Sequence, residues 1–525
     1  MLYLVARGGQ IGSASANSAI ALATAVGMCG QLSTDTAAQF TINEVTTVAT
    51  VWALSQFMAP GGVIGASATN TKGFANAFAT AANLADPVAG KSPGTGFPSN
   101  GKSPAAKING LANLLNSCVA YIGASGSSSP CDRLFSLAVP SGSSAPTNTL
   151  DAAFDLARNP GINVSALYTQ SLSSSAFKPS LATPPADWTV WISFSGGGMS
   201  TPAGLGIDGQ GNVWVASNAG VASQFTPTGS PIFASGITGS GLRSSYGLAI
   251  DGQNNVWITN ADSPSSVNKG FGTVTVLNSS GQPISGATGF SAGGLNAPIA
   301  IAIDTNNTAW VVDYGNARVT LLSSTGTPLS GTAGYAAPTL AFPVSVALDA
   351  NHTGWIGNQN DSGVTHVQAD GSQPNGISCC NGPQGIAVDQ RGYVWISNFY
   401  DDSVGQLSPT GTIVSGGYTA DGLFHPQGIA VDGTGSVWVA NVRIAAGAAS
   451  PTLAQFAGSA TSSPGRALSP PGGWLADAGM LVPYAVAIDA SGNLWISNSG
   501  NNTITEVIGM APPVRTPLNG PPQAP

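Results

Sequence analysis

Residues 385–398 read GIAVDQRGYVWISN: an alternating apolar run, a tight turn, and a second apolar run. Two β-rich runs joined by a short Gly/Asn-type turn predict an antiparallel hairpin. Nearly the same text recurs seven times, always with an Asp six residues ahead of a Trp. The pairs are Asp208/Trp214, Asp251/Trp257, Asp304/Trp310, Asp349/Trp355, Asp389/Trp395, Asp432/Trp438 and Asp489/Trp495. Successive Asp positions lie 43, 53, 45, 40, 43 and 57 residues apart, a period that points to a solenoid or a propeller. No unit shows a 3.6-residue apolar period, which excludes a helical solenoid. In most units a third run follows (319–322, 364–367, 404–407, 504–507), then a Thr-Gly or Ser-Gly turn with room beyond it for an outer strand. Four strands per unit of about 40 to 45 residues make a propeller blade. The expected fold class is an all-β seven-bladed β-propeller, preceded by an all-α helical domain.

The recurring Asp is expected to cap its hairpin turn through the backbone, as Asp does at such sites. The recurring Trp is expected to pack between blades, since a large aromatic fills the wedge between twisted sheets. A ring of metal-binding carboxylates and a ring of ligand-stacking indoles are the functional alternatives. Three residues after the Trp stand Asn260, Asp313, Asn358, Asn398, Asn441 and Asn498, with Ser217 in the first unit; these read as turn residues. An orphan β-like run at 188–195 precedes the first unit. It is expected to supply the outer strand of blade seven by pairing with 504–507, because an open ring would expose two sheet edges.

The text P-x-G-[IL]-A-[VI]-D-x-x-G-x-V-W-[VI]-x-N resembles NHL-repeat proteins and the related streptogramin (virginiamycin B) lyase-like seven-bladed propellers. Pro202, Pro298, Pro343, Pro383, Pro426 and Pro483 occupy the motif's Pro, with Ser245 in the second unit. The resemblance covers about residues 188–510 and, in its low-charge flavour, is similar to bacterial secreted NHL proteins. It implies fold more firmly than activity, because this architecture hosts many functions. In streptogramin lyases the resembling stretches carry His and acidic residues that hold a magnesium ion and move a proton.

Ahead of the repeats, residues 1–180 show helical spacing at 14–31, 41–58, 72–84, 108–122, 150–158 and 164–172. Thr41 with Glu44 reads as a capping box. The uncharged stretch 45–64 is long enough to cross a bilayer, but its Thr and Ser residues and the Pro60-Gly61-Gly62 break favour a buried helix. Residues 1–10 read as a strand rather than a signal peptide, as if the protein began upstream. Residues 181–187 read as a linker, 188–510 as the propeller, and 511–525 as a Pro-rich disordered tail.

Only 7% of residues are charged and the net charge is -8. Phosphate binding needs clustered cations, so nucleic acid is not an expected partner; neither is a membrane span, and a monomer is expected. Cys118 and Cys131 flank a Ser/Gly-rich loop and are the disulfide pair expected of an exported protein. Adjacent Cys379 and Cys380 read as free thiols and Cys29 as a core residue.

Ligands of propellers meet the face where loops lead into the innermost strands, so the residue after the motif Pro marks the site. Those residues are Ala203, Tyr246, Ile299, Val344, Gln384, Gln427 and Tyr484. None is His, Asp or Glu, which leaves general acid–base chemistry without its usual groups; Tyr246, Gln384, Gln427 and Tyr484 are the binding-face candidates. His352 and His366 fall in a turn and a third strand. His425, beside Pro426, is the one candidate catalytic or metal-binding residue, with Asp401, Asp402 and Asp421 as partners. The expected function is that of a non-enzymatic exported or cell-surface binding or scaffold protein, extracellular or periplasmic, with no cofactor. Its ligand would be carbohydrate, cell-wall material or protein. The alternative is a streptogramin lyase-like lyase or hydrolase using His425 and a divalent cation.

Overall fold

The computed structural model describes residues 1–9, 17–28, 39–121, 129–261, 272–360, 362–372, 374–420, 422–442 and 451–525. Seven antiparallel sheets, blades I to VII, follow one another along the second half of the chain. Their inner strands are Pro202–Ile207, Ser245–Ile250, Pro298–Ile303, Pro343–Leu348, Pro383–Val388, Pro426–Val431 and Pro483–Ile488. Each pairs with the strand that carries its blade's Trp. Blades III, IV and V add a fourth strand, Tyr335–Ala336, Asn375–Ser378 and Ile413–Tyr418. Single bridges such as Ala222 to Ile237 and Leu453 to Trp474 mark the same position in blades I and VI.

Blade VII takes its fourth strand from ahead of blade I. Trp191–Phe194 runs antiparallel to Thr503–Val507, with Ile504 opposite Phe194 and Val507 opposite Trp191. Gly101–Lys102 then adds a fifth strand to the outer edge of the same sheet. The ring is therefore closed by hydrogen bonds between the two ends of the propeller segment.

The six-residue spacing of Asp and Trp has a physical cause. One carboxylate oxygen of Asp389 accepts the backbone N–H of Arg391 and Tyr393 at 2.9 and 3.0 Å, closing the turn. The other accepts the Trp395 indole N–H at 3.1 Å. Blades I, II, VI and VII repeat the indole bond at 3.0 to 3.2 Å, with Trp214, Trp257, Trp438 and Trp495 donating to Asp208, Asp251, Asp432 and Asp489. In blades III and IV that oxygen is engaged elsewhere: His352 lies 3.3 Å from Asp304, and Thr353 donates to Asp349 at 2.7 Å. The indole N–H of Trp310 and Trp355 is buried without a partner there. The residue three after the Asp has positive φ in every blade: Gly211, Asn254, Asn307, His352, Gly392, Gly435 and Gly492. Gly and Asn tolerate that region best, and His352 is explained by this backbone position.

Every Trp of the motif is fully buried and packs into the following blade. Trp214 shares a core with Ile250 and Ile258 of blade II, and Trp257 with Ile303 and Val311 of blade III. Trp310 meets Leu348 and Ile356 of blade IV, Trp355 meets Val388 and Ile396 of blade V, and Trp395 meets Val431 and Val439 of blade VI. Trp438 packs on Ile488 and Ile496 of blade VII, and Trp495 completes the circle on Ile207 and Val213 of blade I. Burying such a side chain is worth about 1.5–3 kcal/mol or more, so each blade is held by its neighbour's indole.

Among its described residues the front domain contains six helices: α1 (Glu44–Leu54), α2 (Thr71–Leu84), α3 (Ala105–Val119), α4 (Pro130–Ala138), α5 (Thr149–Arg158) and α6 (Val164–Ser171). It is not all-helical. Leu2–Arg7 and Ala21–Gly27 form an antiparallel pair, so the helix expected over 14–31 is corrected to a strand in its described part. A short, mostly apolar run carries no period that separates a buried strand from a buried helix. The outer edge of Ala21–Gly27 is satisfied by side chains: Ala23 and Ala25 donate to the hydroxyls of Thr47 and Thr50 on α1 at 2.9 and 2.8 Å. These are threonines of the stretch that lacks charge. Helix α1 ends at Leu54, and among the described residues no helix is long and apolar enough to cross a membrane. Its cap is Asn43 paired with Thr46, not Thr41 with Glu44.

One hydrophobic core runs from the front domain into blades VII and I, uniting Trp52, Leu111 and Leu156 with Trp188, Phe194 and Ile207. Cys118 and Cys131 are disulfide-bonded. Closing a loop of this size contributes about 3 kcal/mol, so Cys118→Ser should lower the denaturation midpoint accordingly; an unchanged midpoint would refute the contribution. Cys379 and Cys380 are also joined, which corrects the reading of two free thiols. Cys29 and Asp421 lie outside the described residues.

The tail expected to be disordered is packed instead. Ala511 and Val514 are buried, and their N–H groups donate to the carbonyls of Gly492 and Asp489 at 3.0 and 3.1 Å. Proline content argued for disorder, but a proline-rich segment has few N–H groups to satisfy and docks readily on a ready-made apolar surface.

Candidate functional site at the channel mouth

The inner strands surround an axial channel. At the end where these strands begin it widens into a cavity of ≈ 450 Å³, within the range of small-ligand sites. Its wall includes Tyr246, Ile299, Val344, Gln384, Gln427 and Tyr484, each the residue after the motif's first position. Six of the seven positions marked from the sequence thus converge on one cavity; Ala203 does not line it. Tyr314, Gln359 and Ser345 complete the polar part of the wall. Tyr314 and Gln359 were missed because they follow the second strand rather than the motif Pro. The signal was available, since each stands directly after the recurring Asn or Asp.

The repeat's indoles and carboxylates are not part of this site. Trp257 and Trp438, like the other five motif tryptophans, have no exposed surface and line no wall of the channel. The alternative of a ligand-stacking ring is therefore corrected: a ring sealed between two sheets offers no face to a ligand. Six of the seven motif Asp residues are buried in their turns as well, with Asp349 partly exposed, all at the end of the inner strands away from the mouth.

The ring is tight where a glycine stands two residues after the motif's first position, at Gly204, Gly247, Gly385 and Gly428; blades III, IV and VII have Ala300, Ser345 and Ala485 there. A Cβ on Gly204 or Gly385 would strike the backbone carbonyl of Tyr246 or Gln427 in the next blade. Hydroxyls then tie blade to blade: Ser397 donates to the Gln427 carbonyl and Ser497 to that of Ala203, both at 2.7 Å. The carbonyls of Gln427 and Ala203 are thereby engaged from the neighbouring blade.

Electrostatically the mouth is neutral. Burial, and then the neighbouring Tyr246, push the Tyr484 phenol up to about 12, so it stays a hydrogen-bond donor throughout the physiological range. Among the described residues the cavity wall contains no His, Asp or Glu. No cluster of three or more His, Cys, Asp or Glu among them is arranged to hold a metal ion.

His425 stands at the same end of the propeller but outside the cavity wall. Its ring packs on Phe399 and Phe424, with centroids 4.5 and 4.4 Å away, and its buried Nδ1 has no partner. Asp402 accepts the backbone N–H of His425 at 2.7 Å, and Asp401 accepts the Ser403 hydroxyl. These carboxylates serve the loops. His425 has φ 48°, and its counterparts Thr201, Ser244, Ala297, Phe342, Gly382 and Val482 also lie in the positive region. The position before the motif Pro is a turn residue in every blade. His366 stacks on Trp355 at 3.9 Å and bonds Thr353, away from the mouth.

The chain is thus a closed seven-bladed β-propeller with an uncharged small-molecule-sized mouth, built onto a mixed helical domain. No protein-family profile matches it, and no curated protein matches its sequence. Among solved structures it is similar to virginiamycin B lyase from Staphylococcus aureus, at 15% identity over 61% of this chain and 98% of that one, with a TM-score of 0.46. A streptogramin B lyase structure is similar at 15% identity over 60% and 97%, with a TM-score of 0.43. The blade count rests on the strand pairings themselves.

Proposed function

We propose that this protein is a non-enzymatic, exported or cell-surface binding or scaffold protein whose channel mouth takes an uncharged carbohydrate. The observation that carries the reading is the wall chemistry: three phenols, three carboxamides and aliphatic side chains around ≈ 450 Å³. Sugars offer hydroxyls to amides and phenols and C–H faces to rings. An ionic ligand would find no countercharge in the wall. Export is supported by the Cys118–Cys131 disulfide, a bond that persists in oxidising compartments.

The test is a screen of the whole protein against immobilised glycans and cell-wall polysaccharide, followed by Tyr246→Ala and Gln427→Ala. Each replacement should weaken retention at least about tenfold, the cost of one central contact of about 1.4 kcal/mol. Retention unchanged in both variants, or retention only of protein ligands, would refute the carbohydrate reading.

A further inference from the structure

The opposite end of the channel is not a second mouth. There the inner strands run into the Asp turns, and residues 511–525 cross the opening. Val514, Thr516, Leu518, Gly520 and Pro522 close a cavity of ≈ 210 Å³ against the last residues of the inner strands, Ile250 and Ile303 among them. Six of these fifteen residues are proline, so few N–H groups need partners, and those of Ala511, Val514 and Arg515 all have one. The Arg515 N–H meets the Gln523 carbonyl at 2.8 Å, folding the segment back on itself.

The propeller side is shaped for this segment. Gly433 donates its N–H to the Pro512 carbonyl, and a Cβ there would collide with the Pro513 carbonyl. Asn519 donates to the Ile250 carbonyl at 3.1 Å, using an inner-strand acceptor at the channel's end. Val514 sits in the core of blade VII with Ile488 and Leu494. Glycine clearance, a backbone donor, an inner-strand acceptor and an apolar socket are the parts of a peptide-binding site.

We propose that this end of the propeller is a docking site for a folded-back proline-rich peptide, occupied in cis by residues 511–525, and that docking is what makes the channel blind. The proposal does not depend on what the mouth binds. The prefixed geometry of a proline-rich segment limits the entropy lost on docking, so the same segment supplied in trans should bind once the cis copy is weakened.

The experiment uses the full-length chain. Val514→Asp alters the tail and places a carboxylate in the apolar socket; Gly433→Val alters the site and leaves the tail's sequence intact. Tryptic cleavage after Arg515, followed by mass spectrometry, should be at least tenfold faster in both variants than in the parent. A fluorescent synthetic peptide of residues 511–525 should bind Val514→Asp saturably, and bind the parent and Gly433→Val at least tenfold more weakly. Leu518→Asp, at a half-exposed position, is the second tail variant should Val514→Asp misfold. Equal cleavage rates in parent and tail variants would overturn the proposal. So would a peptide that ignores the tail variants, or binds Gly433→Val equally well.

Discussion

Replacing Asp187 with Ala is expected to destabilise the whole protein by about 2–6 kcal/mol, at about 1–3 kcal/mol for each of the two buried N–H groups it leaves without an acceptor. Asp187 is fully buried at the junction of three segments. One carboxylate oxygen accepts the backbone N–H and the hydroxyl of Thr189. The other accepts the Leu475 N–H at 2.8 Å, from the connection between blades VI and VII. Lys107 of α3, itself buried, lies 3.9 Å from Asp187 and 3.0 Å from Asp477. Alanine would strip acceptors from two buried N–H groups and leave Lys107 with the partly exposed Asp477 as its carboxylate partner. Because front domain and ring share one core, the loss should move a single unfolding transition. Urea denaturation of Asp187→Ala beside Asp187→Asn checks this. Asparagine keeps an acceptor and should cost less. A change below about 1 kcal/mol for alanine would mean that this cluster does not hold the two parts together.

None of that cluster was visible in the sequence, because its members stand up to 370 residues apart and no local pattern joins them. What could be read was what each blade repeats within its own hairpin. The Asp and Trp six residues on are neighbours through the turn that the Asp closes, so their spacing is a local geometric fact. The mouth positions followed because the inner strands all begin at the same end of the ring. The reasons for the motif's Gly, and for His352 and His425, needed the neighbouring blade or the sign of φ. The strand Ala21–Gly27 and the tail were misread for one shared reason: composition reports what a segment prefers alone, and both are shaped by the surface they meet.

The same comparison between blades sets apart Asp313, and here the expected result is a pH-dependent stability that one near-isosteric change removes. In blades II, IV and VII the equivalent residue is Asn260, Asn358 or Asn498, whose side-chain amide donates to the hydroxyl of Thr275, Thr365 or Thr505 at 2.9 to 3.0 Å. Asp313 has no such donor when ionised. Instead the Thr320 hydroxyl lies 2.7 Å from its carboxylate and 3.1 Å from the Gly293 carbonyl, and its single proton serves one of them. Burial drives the Asp313 carboxyl up to about 7, against the opposing effects of Thr320, the Asn296 N–H and Arg318. The folded state therefore holds a proton that the unfolded chain, titrating at its ordinary 3.8, has released. Stability from this group is complete below pH 3.8, falls as pH rises, and is lost above about 7. At 1.36 kcal/mol for each unit, the loss is on the order of 4 kcal/mol. Asp313→Asn restores the donor that the other blades use. It should match the parent near pH 4 and exceed it by several kcal/mol at pH 8. Denaturation midpoints of both proteins across that range measure the difference directly. Parallel curves would show that Asp313 is ionised in the folded protein, and that the slot tolerates a carboxylate as readily as an amide.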